Sequence, residues 1–451
     1  MRYCAQGVAD YLKQSGLSEK GIIIGYDTRF ASEDFAAAVA EVIAGNDINA
    51  FLCPRATPTP VISYGVLAKQ AGGGIIITAS HNPGTWNGFK YKDEHGSSAS
   101  DEITASIERC VATAFDSEKL SRLPLMEARE KGLVEDIDLD AIYFDQIARL
   151  IDLDTIRQSG LKLVFDPMYG AGVGYLDKLL TGGKTEIIEI NGERNPLFPG
   201  VRPEPIAPNL GKLSQVVKKE GAHVGLATDG DADRMGIVDE NGVFITQLQV
   251  YALLCLYLLE VRGERGPLIK TITTTSMAFR LGEIYNVPVH ETAVGFKYVA
   301  PLMVEVGAII GGEESGGYGF RNHVAERDGI LANLYFLDFM VKTGKKPSEL
   351  IEYLYSKVGQ HHYRRVDIRF PEAERQAIIN RVKDNPADTI DNVGVERLDT
   401  TDGYRYILKD DTWLLIRFSG TEPLLRIYVE TDSLERAGRL LEIGKQLAGI
   451  N

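Results

Sequence analysis

Short apolar segments that alternate with longer helical segments constrain the fold of this chain more than any other sequence feature. Residues 21–25, 49–53 and 74–77 have the length and apolar content of buried strands, and helical patterns at 35–44 and 60–70 separate them. This alternation predicts a parallel or mixed sheet with helices on its faces. Because ligands usually bind in the loops that follow such strands, we expect a functional site in these loops.

The same alternation begins again after residues 160 and 248. A glycine-rich turn at 170–174 opens a helix in the second round, and helical patterns at 249–261 and from Ser276 belong to the third. The predicted strands of these two rounds are residues 161–165, 223–228, 235–239 and 268–273, a segment around Pro288, and residues 307–310.

From residue 359 onward the pattern changes. A strand at 362–370 and a helix at 372–383 precede three strand candidates between Val393 and Val429, and a final helix follows. We therefore predict three related α/β domains with mixed sheets, followed by a C-terminal α+β domain. The predicted boundaries are residues 1–140, 141–246, 247–358 and 359–451.

The chain is acidic, with a formal net charge of −14 over 451 residues and an isoelectric point near 5.1. Because such a chain repels phosphate backbones and anionic lipids, we expect neither nucleic acid nor a membrane as a partner. The longest apolar run, from Tyr251 to Leu259, is shorter than the roughly 18 residues needed to cross a bilayer. The first residues lack the apolar core of a signal peptide, and the cysteines lack metal-binding spacing. These features predict a cytoplasmic protein with reduced thiols.

The first candidate site is the segment Thr78-Ala79-Ser80-His81-Asn82-Pro83, which directly follows an apolar strand. A serine at the carboxyl end of a strand can be presented as a nucleophile. His81 and Lys90 are close enough in sequence to supply proton transfer or positive charge. An ordinary turn is the alternative interpretation, because Ser, Asn and Pro are common turn residues.

The second candidate site is Asp229-Gly230-Asp231-Ala232-Asp233-Arg234, between two apolar strands. Three carboxylates at alternate positions can converge on one hard cation, and Mg²⁺ suits a site without nearby Cys or His. An EF-hand is excluded because Arg234 stands where that loop requires glycine. A solvated acidic turn remains the alternative.

The third candidate site is the glycine-rich segment 311–317, in which Glu313 and Ser315 are suited to bind sugar hydroxyls. A plain glycine turn explains the same glycines equally well.

The fourth candidate site is the segment 417–423. Its donors to a phosphate dianion are the side chains of Arg417, Ser419 and Thr421 and the backbone at Gly420, with Arg426 nearby. A hairpin turn with exposed arginines is the alternative interpretation.

With these four motifs in this order, the chain resembles the α-D-phosphohexomutase family, which includes phosphoglucomutases, phosphomannomutases and phosphoglucosamine mutases. The resemblance runs over nearly the whole chain. It implies a heart-shaped molecule with three related α/β domains and a smaller C-terminal domain similar to the TATA-binding-protein fold. It also implies an enzyme that interconverts hexose 1-phosphate and hexose 6-phosphate through a phosphoserine and a hexose 1,6-bisphosphate, which acts as its activator.

The resemblance further implies a role for each motif. Ser80 would carry the phosphoryl group, with His81, Lys90 and Arg234 beside it, and the general acid and base remain open between Lys90 and His81. Mg²⁺ would be held by the phosphoserine and the three aspartates. The implied residues are Ser80, Asp229, Asp231 and Asp233 for the metal, Lys297, Glu313 and Ser315 for the sugar, and Arg417, Ser419, Gly420, Thr421 and the supporting Arg426 for the phosphate that does not react.

Relatives begin with a short strand and a Gly-x-Arg-Gly segment that brings an arginine into the site, whereas this chain starts in a helix over Met1–Gln14. Either the start is truncated or the protein does without that arginine, and we expect an exposed edge in the first sheet. The pair Gly316-Gly317, where several relatives carry histidine at the second position, favours glucose over mannose or glucosamine. A metal-dependent phosphatase and a non-catalytic phosphosugar-binding protein are the competing functions, and the oligomeric state is left open.

Overall fold

The computed structural model describes residues 1–419 and 423–450. The strands of these residues form four sheets that follow one another along the chain. Three sheets are mixed and carry helices, and the last is antiparallel. This confirms the predicted fold class. The predicted boundaries at residues 140, 246 and 358 fall between the sheets and remain predictions.

The first sheet is built around a strand of consecutive isoleucines, a sequence suited to a strand that is buried on both faces. Its strands are β1 (Ile22–Tyr26), β2 (Ala50–Leu52), β3 (Gly74–Ile77), β4 (Phe89–Lys92) and β5 (Val134–Asp136). Its helices are α1 (Arg2–Gln14), α2 (Ser32–Gly45), α3 (Thr59–Lys69), α4 (Asp101–Asp116) and α5 (Leu125–Glu130). The strand order is β4-β3-β1-β2-β5, with β4 antiparallel at one edge. β5 was not predicted, because only Val134 in it is buried.

The second sheet presents the acidic segment at the tip of a hairpin. Its strands are β6 (Lys162–Asp166), β7 (Glu186–Glu189), β8 (Val224–Thr228), β9 (Met235–Val238) and β10 (Phe244–Ile245), in the order β10-β9-β8-β6-β7. Its helices are α6 (Asp140–Leu150), α7 (Leu153–Gln158), α8 (Tyr175–Leu180) and α9 (Gly211–Glu220). Because β8 and β9 pair antiparallel from Thr228 and Met235 onward, residues 229–234 connect two strands and not two helices.

The third sheet presents the glycine-rich segment in the same way, on a hairpin. Its strands are β11 (Leu268–Thr271), β12 (Val289–Thr292), β13 (Ile310–Gly312) and β14 (Tyr318–Phe320), in the order β12-β11-β13-β14. Its helices are α10 (Gln247–Leu256), α11 (Met277–Tyr285), α12 (Phe296–Val306), α13 (Gly329–Thr343) and α14 (Pro347–Val358). The predicted strand at 307–310 begins only at Ile310, because Gly307 ends α12 in the left-handed conformation.

The fourth sheet is antiparallel throughout. Its strands are β15 (His362–Arg369), β16 (Thr389–Ile390), β17 (Val393–Asp399), β18 (Tyr404–Leu408), β19 (Trp413–Phe418) and β20 (Leu424–Thr431), and α15 (Arg375–Asp384) and α16 (Leu434–Ala448) accompany it. The strand order is β15-β20-β19-β18-β17-β16. Four strands lie where three were predicted, because a turn ending at Gly403, whose φ is +107°, separates β17 from β18. Within residues 1–419 and 423–450, no helix has both the length and the hydrophobicity needed to cross a bilayer.

The buried carboxylate of Asp328 connects the third domain to a helix of the second domain and, through His323, to a helix of the first. Asp328 caps α13 by accepting hydrogen bonds from the backbone N–H groups of Ile330 and Leu331. It also accepts one from the hydroxyl of Tyr143 in α6 at 2.8 Å and lies 2.9 Å from Nε2 of His323. The ring of Tyr64 in α3 stacks on His323 with the centroids 5.2 Å apart. Elements from three domains therefore converge on Asp328.

We predict that Asp328→Ala lowers the thermal unfolding midpoint more than Tyr143→Phe does. The first change removes a helix cap and every hydrogen bond to a buried carboxylate, about 3 kcal/mol or more, whereas the second removes one hydrogen bond, about 1.5 kcal/mol. Differential scanning calorimetry measures both shifts. Asp154→Asn, at an 82% exposed side chain, is the matched control. A shift for Asp328→Ala as small as that of the control would contradict this account.

Candidate active site

The serine segment and the acidic segment meet between the first and second sheets. Ser80 follows β3 and is buried, and its Oγ donates a hydrogen bond to Oδ2 of Asp229 at 2.8 Å. Its backbone is left-handed, with φ +51°, and its N–H donates to the hydroxyl of Thr78 at 2.8 Å. A left-handed backbone at a residue other than glycine costs roughly 1–2 kcal/mol. The surrounding contacts must therefore hold Ser80 in place.

Those contacts come mainly from Arg29, which the sequence analysis missed. Arg29 is fully buried, and its Nε donates to the carboxylate of Asp27 at 2.9 Å. Its two terminal nitrogens donate to the carbonyl oxygens of Ser80 at 2.6 Å, Asn82 at 2.7 Å, Pro83 at 2.6 Å and Trp86 at 3.1 Å. Only a planar guanidinium offers this many donors in a fixed fork. Arg29 thus fixes the path of the loop that presents Ser80.

The acidic segment forms a buried triad. Asp229, Asp231 and Asp233 are fully buried, and one oxygen from each lies within 4.8 Å of the others. Oδ1 of Asp231 and Oδ1 of Asp233 have no hydrogen-bond partner among the described residues. Burial, together with the charges of Asp231 and Asp233, raises the pKa of Asp229 well above its usual range. Buried oxygens without donors are the ligands that a divalent, oxygen-preferring cation requires, so the triad fits Mg²⁺.

Three cations surround the triad. Nζ of Lys90 lies 2.8 Å from Oδ2 of Asp231, and Nε of Arg234 lies 3.7 Å from Oδ1 of Asp233. The third is Arg327, which sequence reasoning missed, and its Nη2 lies 2.8 Å from Oδ2 of Asp233. Arg327 also pairs with Glu313 at 3.2 Å and with Glu326 at 3.3 Å, so two further carboxylates share its charge. The cluster is therefore rich in carboxylates, and a divalent cation would add positive charge to it.

The surrounding charges shift the pKa values of the two candidate proton-transfer residues, His81 and Lys90, in opposite directions. The charge of Arg234, with burial, lowers the pKa of His81 far below its usual range, so His81 is neutral at pH 7. Burial opposes the charge on Lys90, but Asp231 outweighs it and raises the pKa of Lys90. Lys90 therefore remains a cation, and His81 is a poor proton donor.

The glycine-rich loop places Glu313 and Gly317 next to Arg327 and buries the hydroxyl of Ser315. Glu313 is buried and accepts a hydrogen bond from Nη1 of Arg327 at 3.2 Å, which ties it to the triad. Oγ of Ser315 is buried without a hydrogen-bond partner among the described residues. A Cβ on Gly317 would lie 2.3 Å from Cδ of Arg327, so the aliphatic part of Arg327 fills the space of a side chain there.

Lys297 lies at the rim of the site. Its Nζ pairs with Oδ1 of Asp101 at 2.6 Å, at the start of α4. It lines a cavity of about 830 Å³ together with Lys90 and Arg327. The structure therefore places Lys297 beside the charged cluster without joining it to the triad.

The two arginines that the sequence analysis predicts to bind phosphate lie on neighbouring strands. Arg417 and Arg426 are directly opposite each other in β19 and β20. Nε of Arg417 lies 3.0 Å from Oδ1 of Asp402, and Nε of Arg426 lies 3.5 Å from Oδ2 of Asp367. Ser419 is buried, and its carbonyl accepts a hydrogen bond from Arg375. The predicted residues Gly420 and Thr421 lie outside the described residues.

The four motifs, the fold and the order of the domains agree with one family of known proteins. Domains I, II and III of the phosphoglucomutase/phosphomannomutase family match residues 1–118, 141–242 and 248–358, and its C-terminal domain matches residues 366–443. A phosphoglucomutase/phosphomannomutase from Thermococcus kodakarensis is 34% identical over 97% of this chain and 91% of its own. The chain belongs to this family of α-D-phosphohexomutases.

Other members agree with the assignment. A probable phosphoglucosamine mutase from Pyrococcus abyssi is 32% identical over 94% of this chain and 89% of its own. A solved structure from Thermus thermophilus, provisionally named a phosphomannomutase, is 34% identical, with a TM-score of 0.85 over 99% of this chain and 94% of its own. The phosphohexomutase is therefore an isomerase that acts as a phosphotransferase.

The structure of this phosphohexomutase brings seven of the predicted residues together, namely Ser80, Lys90, Arg234, the three aspartates and Glu313. Ser80, Lys90 and Arg234 contact the triad, and Arg327 connects it to Glu313. Sequence reasoning missed Arg29 although it follows a predicted strand, the position where functional loops were expected. It missed Arg327 because no pattern marks an arginine that precedes a helix cap.

We predict that millimolar Mg²⁺ raises the thermal unfolding midpoint of the phosphohexomutase and that Asp231→Asn abolishes this rise. A ligand that binds only the folded state adds about 2.7 kcal/mol of stability at a concentration 100 times its dissociation constant. Thermal scans with and without Mg²⁺ measure the rise within each variant, so the intrinsic effect of the substitution cancels. Asp154→Asn, which is exposed, serves as the control and should respond like the unmodified enzyme. An equal rise in Asp231→Asn would exclude the triad as the metal site.

Proposed function

We propose that this enzyme interconverts glucose 1-phosphate and glucose 6-phosphate, with mannose phosphates as a second substrate pair. Glucose 1,6-bisphosphate is the intermediate and the activator. The observation that carries the proposal is the hydrogen bond of 2.8 Å between Oγ of Ser80 and Asp229, inside a buried triad ringed by three cations. A nucleophile, a metal site and charge compensation are thereby combined at one point, as phosphoryl transfer requires.

Each transfer exchanges one P–O bond for another. When phosphorylated Ser80 meets a hexose 1-phosphate, the C6 hydroxyl oxygen bonds to phosphorus and the bond to Oγ of Ser80 breaks. The electron pair of that bond stays on Oγ, which takes up a proton to restore the serine hydroxyl as the C6 hydroxyl loses one. The bisphosphate then returns the phosphoryl group from C1 to Ser80 and leaves hexose 6-phosphate. Bound Mg²⁺ would stabilise the negative charge on the transferring oxygens.

The residues of the chain divide this work. Lys90, Arg234 and Arg327 neutralise charge that spreads over the equatorial oxygens in the transition state. Arg29 holds the loop so that Ser80 Oγ faces the triad. Because His81 is held neutral, we assign it to orienting the phosphoryl group and not to proton transfer. These contacts position the reactants, and the phosphoryl transfer itself requires little covalent chemistry from the protein.

The phosphate that does not react is assigned to the fourth domain. Arg417 and Arg426 stand side by side on the sheet, and each is paired with an aspartate that a phosphate dianion can replace. Lys297, Glu313 and Ser315 are assigned to the sugar. With the remote phosphate held, either C1 or C6 can face Ser80, so one site serves both half-reactions.

Glucose is proposed as the preferred sugar because Gly317 offers no side chain to the sugar and Arg327 fills that space. Glucosamine phosphates are the second candidate, since the Pyrococcus abyssi relative is a probable phosphoglucosamine mutase. A cytoplasmic location belongs to the same proposal and is supported by free cysteines, of which Cys53, Cys110 and Cys255 are buried.

We predict that the enzyme converts glucose 1-phosphate to glucose 6-phosphate with Mg²⁺ and a trace of glucose 1,6-bisphosphate, and that Ser80→Ala lowers kcat at least about 10³-fold. A coupled assay follows glucose 6-phosphate, with mannose 1-phosphate and glucosamine 6-phosphate tested in parallel. Ser356→Ala, at an exposed position on α14, is the matched control and should keep full activity.

The ratio of kcat/KM between the sugars decides which substrate is preferred. Steady release of inorganic phosphate in place of isomerisation would support the metal-dependent phosphatase instead. Turnover that survives in Ser80→Ala would refute the proposed nucleophile.

A further inference from the structure

Glu314 has a different role from its neighbour Glu313. The side chain of Glu313 contacts Arg327 beside the triad, whereas the side chain of Glu314 contacts the fourth sheet. Its Oε1 accepts a hydrogen bond from the hydroxyl of Tyr363 at 2.6 Å and another from Nη1 of Arg365 at 3.1 Å. The loop assigned to the sugar is therefore attached directly to β15.

From Glu314 the contacts continue to the phosphate-binding strands. Arg365 donates to both oxygens of Asp367, from Nε at 2.6 Å and from Nη2 at 2.8 Å. Oδ2 of Asp367 lies 3.5 Å from Nε of Arg426, its partner across β15 and β20. Because alternate residues of a strand share a face, Arg365 and Asp367 stand on the same side of the sheet. Charges thus alternate along a continuous line of contacts through Glu314, Arg365, Asp367 and Arg426.

A second contact joins the other phosphate-binding arginine to the third domain. Asp402, which pairs with Arg417 at 3.0 Å, accepts a hydrogen bond from the backbone N–H of Val294, also at 3.0 Å. Val294 lies three residues before Lys297. Each arginine is thus held by an aspartate that is connected to a loop of the third domain.

We infer that Glu314 is a positioning residue that couples capture of the substrate phosphate on the fourth domain to the placement of the sugar loop. This inference rests on the proposed function, because it requires a phosphate at Arg417 and Arg426. A phosphate dianion there repels Asp367 and competes with it for Arg426, so Asp367 turns more fully to Arg365. Arg365 then releases Glu314, and residues 311–317 adjust as the phosphate arrives.

Kinetics of Glu314→Gln test the inference. Without the charge of Glu314, the sugar loop is already loosened from Arg365 before phosphate binds, so Arg426 still binds phosphate but the loop no longer responds to its arrival. We expect kcat to fall on the order of 10-fold while KM stays within about two-fold. Active enzyme is counted by the fraction of Ser80 that accepts phosphate, so a misfolded fraction does not mimic the fall. Glu435→Gln, at an 89% exposed side chain on α16, is the matched control. A rise in KM with unchanged kcat, or no change, overturns the inference.

Hydrogen exchange supplies a readout that a purely structural role would not move. Inorganic phosphate is the probe, and exchange is followed at 311–317 and at 424–431. We expect phosphate to slow exchange at 424–431 in both proteins and to alter exchange at 311–317 in the unmodified enzyme but not in Glu314→Gln. An effect at 424–431 alone, or an equal effect at 311–317 in both proteins, overturns the coupling and leaves the proposed function intact. If phosphate does not slow exchange at 424–431, the proposed phosphate site is wrong, and the inference fails with it.

Discussion

Three carboxylates buried within one small volume are the constraint on which the rest of this structure depends. The three aspartates, Asp229, Asp231 and Asp233, repel one another and are buried away from solvent. This combination is stable only with positive charge nearby. The second domain supplies one cation, Arg234. The others come from elsewhere, Lys90 from the edge strand of the first sheet and Arg327 from the third domain. The charge of the triad therefore holds three domains in one arrangement.

That arrangement also supports the proposed role of Ser80 as the phosphoryl carrier. The guanidinium of Arg29 positions Ser80 by donating hydrogen bonds to carbonyl groups of the serine loop. Asp229 orients the hydroxyl of Ser80 by accepting its hydrogen bond. Both partners are buried, so little freedom is left for Oγ to lose when the reaction occurs. The fourth domain lies outside this cluster and is attached to the third domain through the contacts of Glu314 and Asp402. A rigid centre and a separately attached fourth domain suit the proposed reaction, in which the intermediate must turn over.

Much of the fold could be predicted from the sequence because its strands are short apolar runs. β1, β3 and β8 were found within one residue of their limits, and the loops after β3 and β8 carry the serine and the triad. β5 could not be found, because its residues other than Val134 are exposed. The extra strand in the fourth sheet was missed because the turn at Gly403 lies inside one polar stretch.

Individual residues of the site were predictable where a motif contains them, and partners from distant segments were not. Spacing indicated that the three aspartates converge, but it gave no sign that Arg327 lies against Asp233, since the two are 94 positions apart in the sequence. The sequence likewise could not show that Glu313 and Glu314 face opposite ways, because their direction is set by Arg327 on one side and Tyr363 on the other. Such pairings depend on how the domains pack.

In the proposed reaction, Ser80 carries the phosphoryl group between the two hydroxyls of the sugar. Incubating the enzyme with ³²P-labelled glucose 1,6-bisphosphate and mapping the labelled peptide by mass spectrometry tests it most directly, followed by a chase with unlabelled glucose 1-phosphate. We expect the label to reside on Ser80 and to leave entirely in sugar phosphates during the chase. Label on any other residue would exclude Ser80 as the carrier, and its release as inorganic phosphate would exclude transfer between the two hydroxyls.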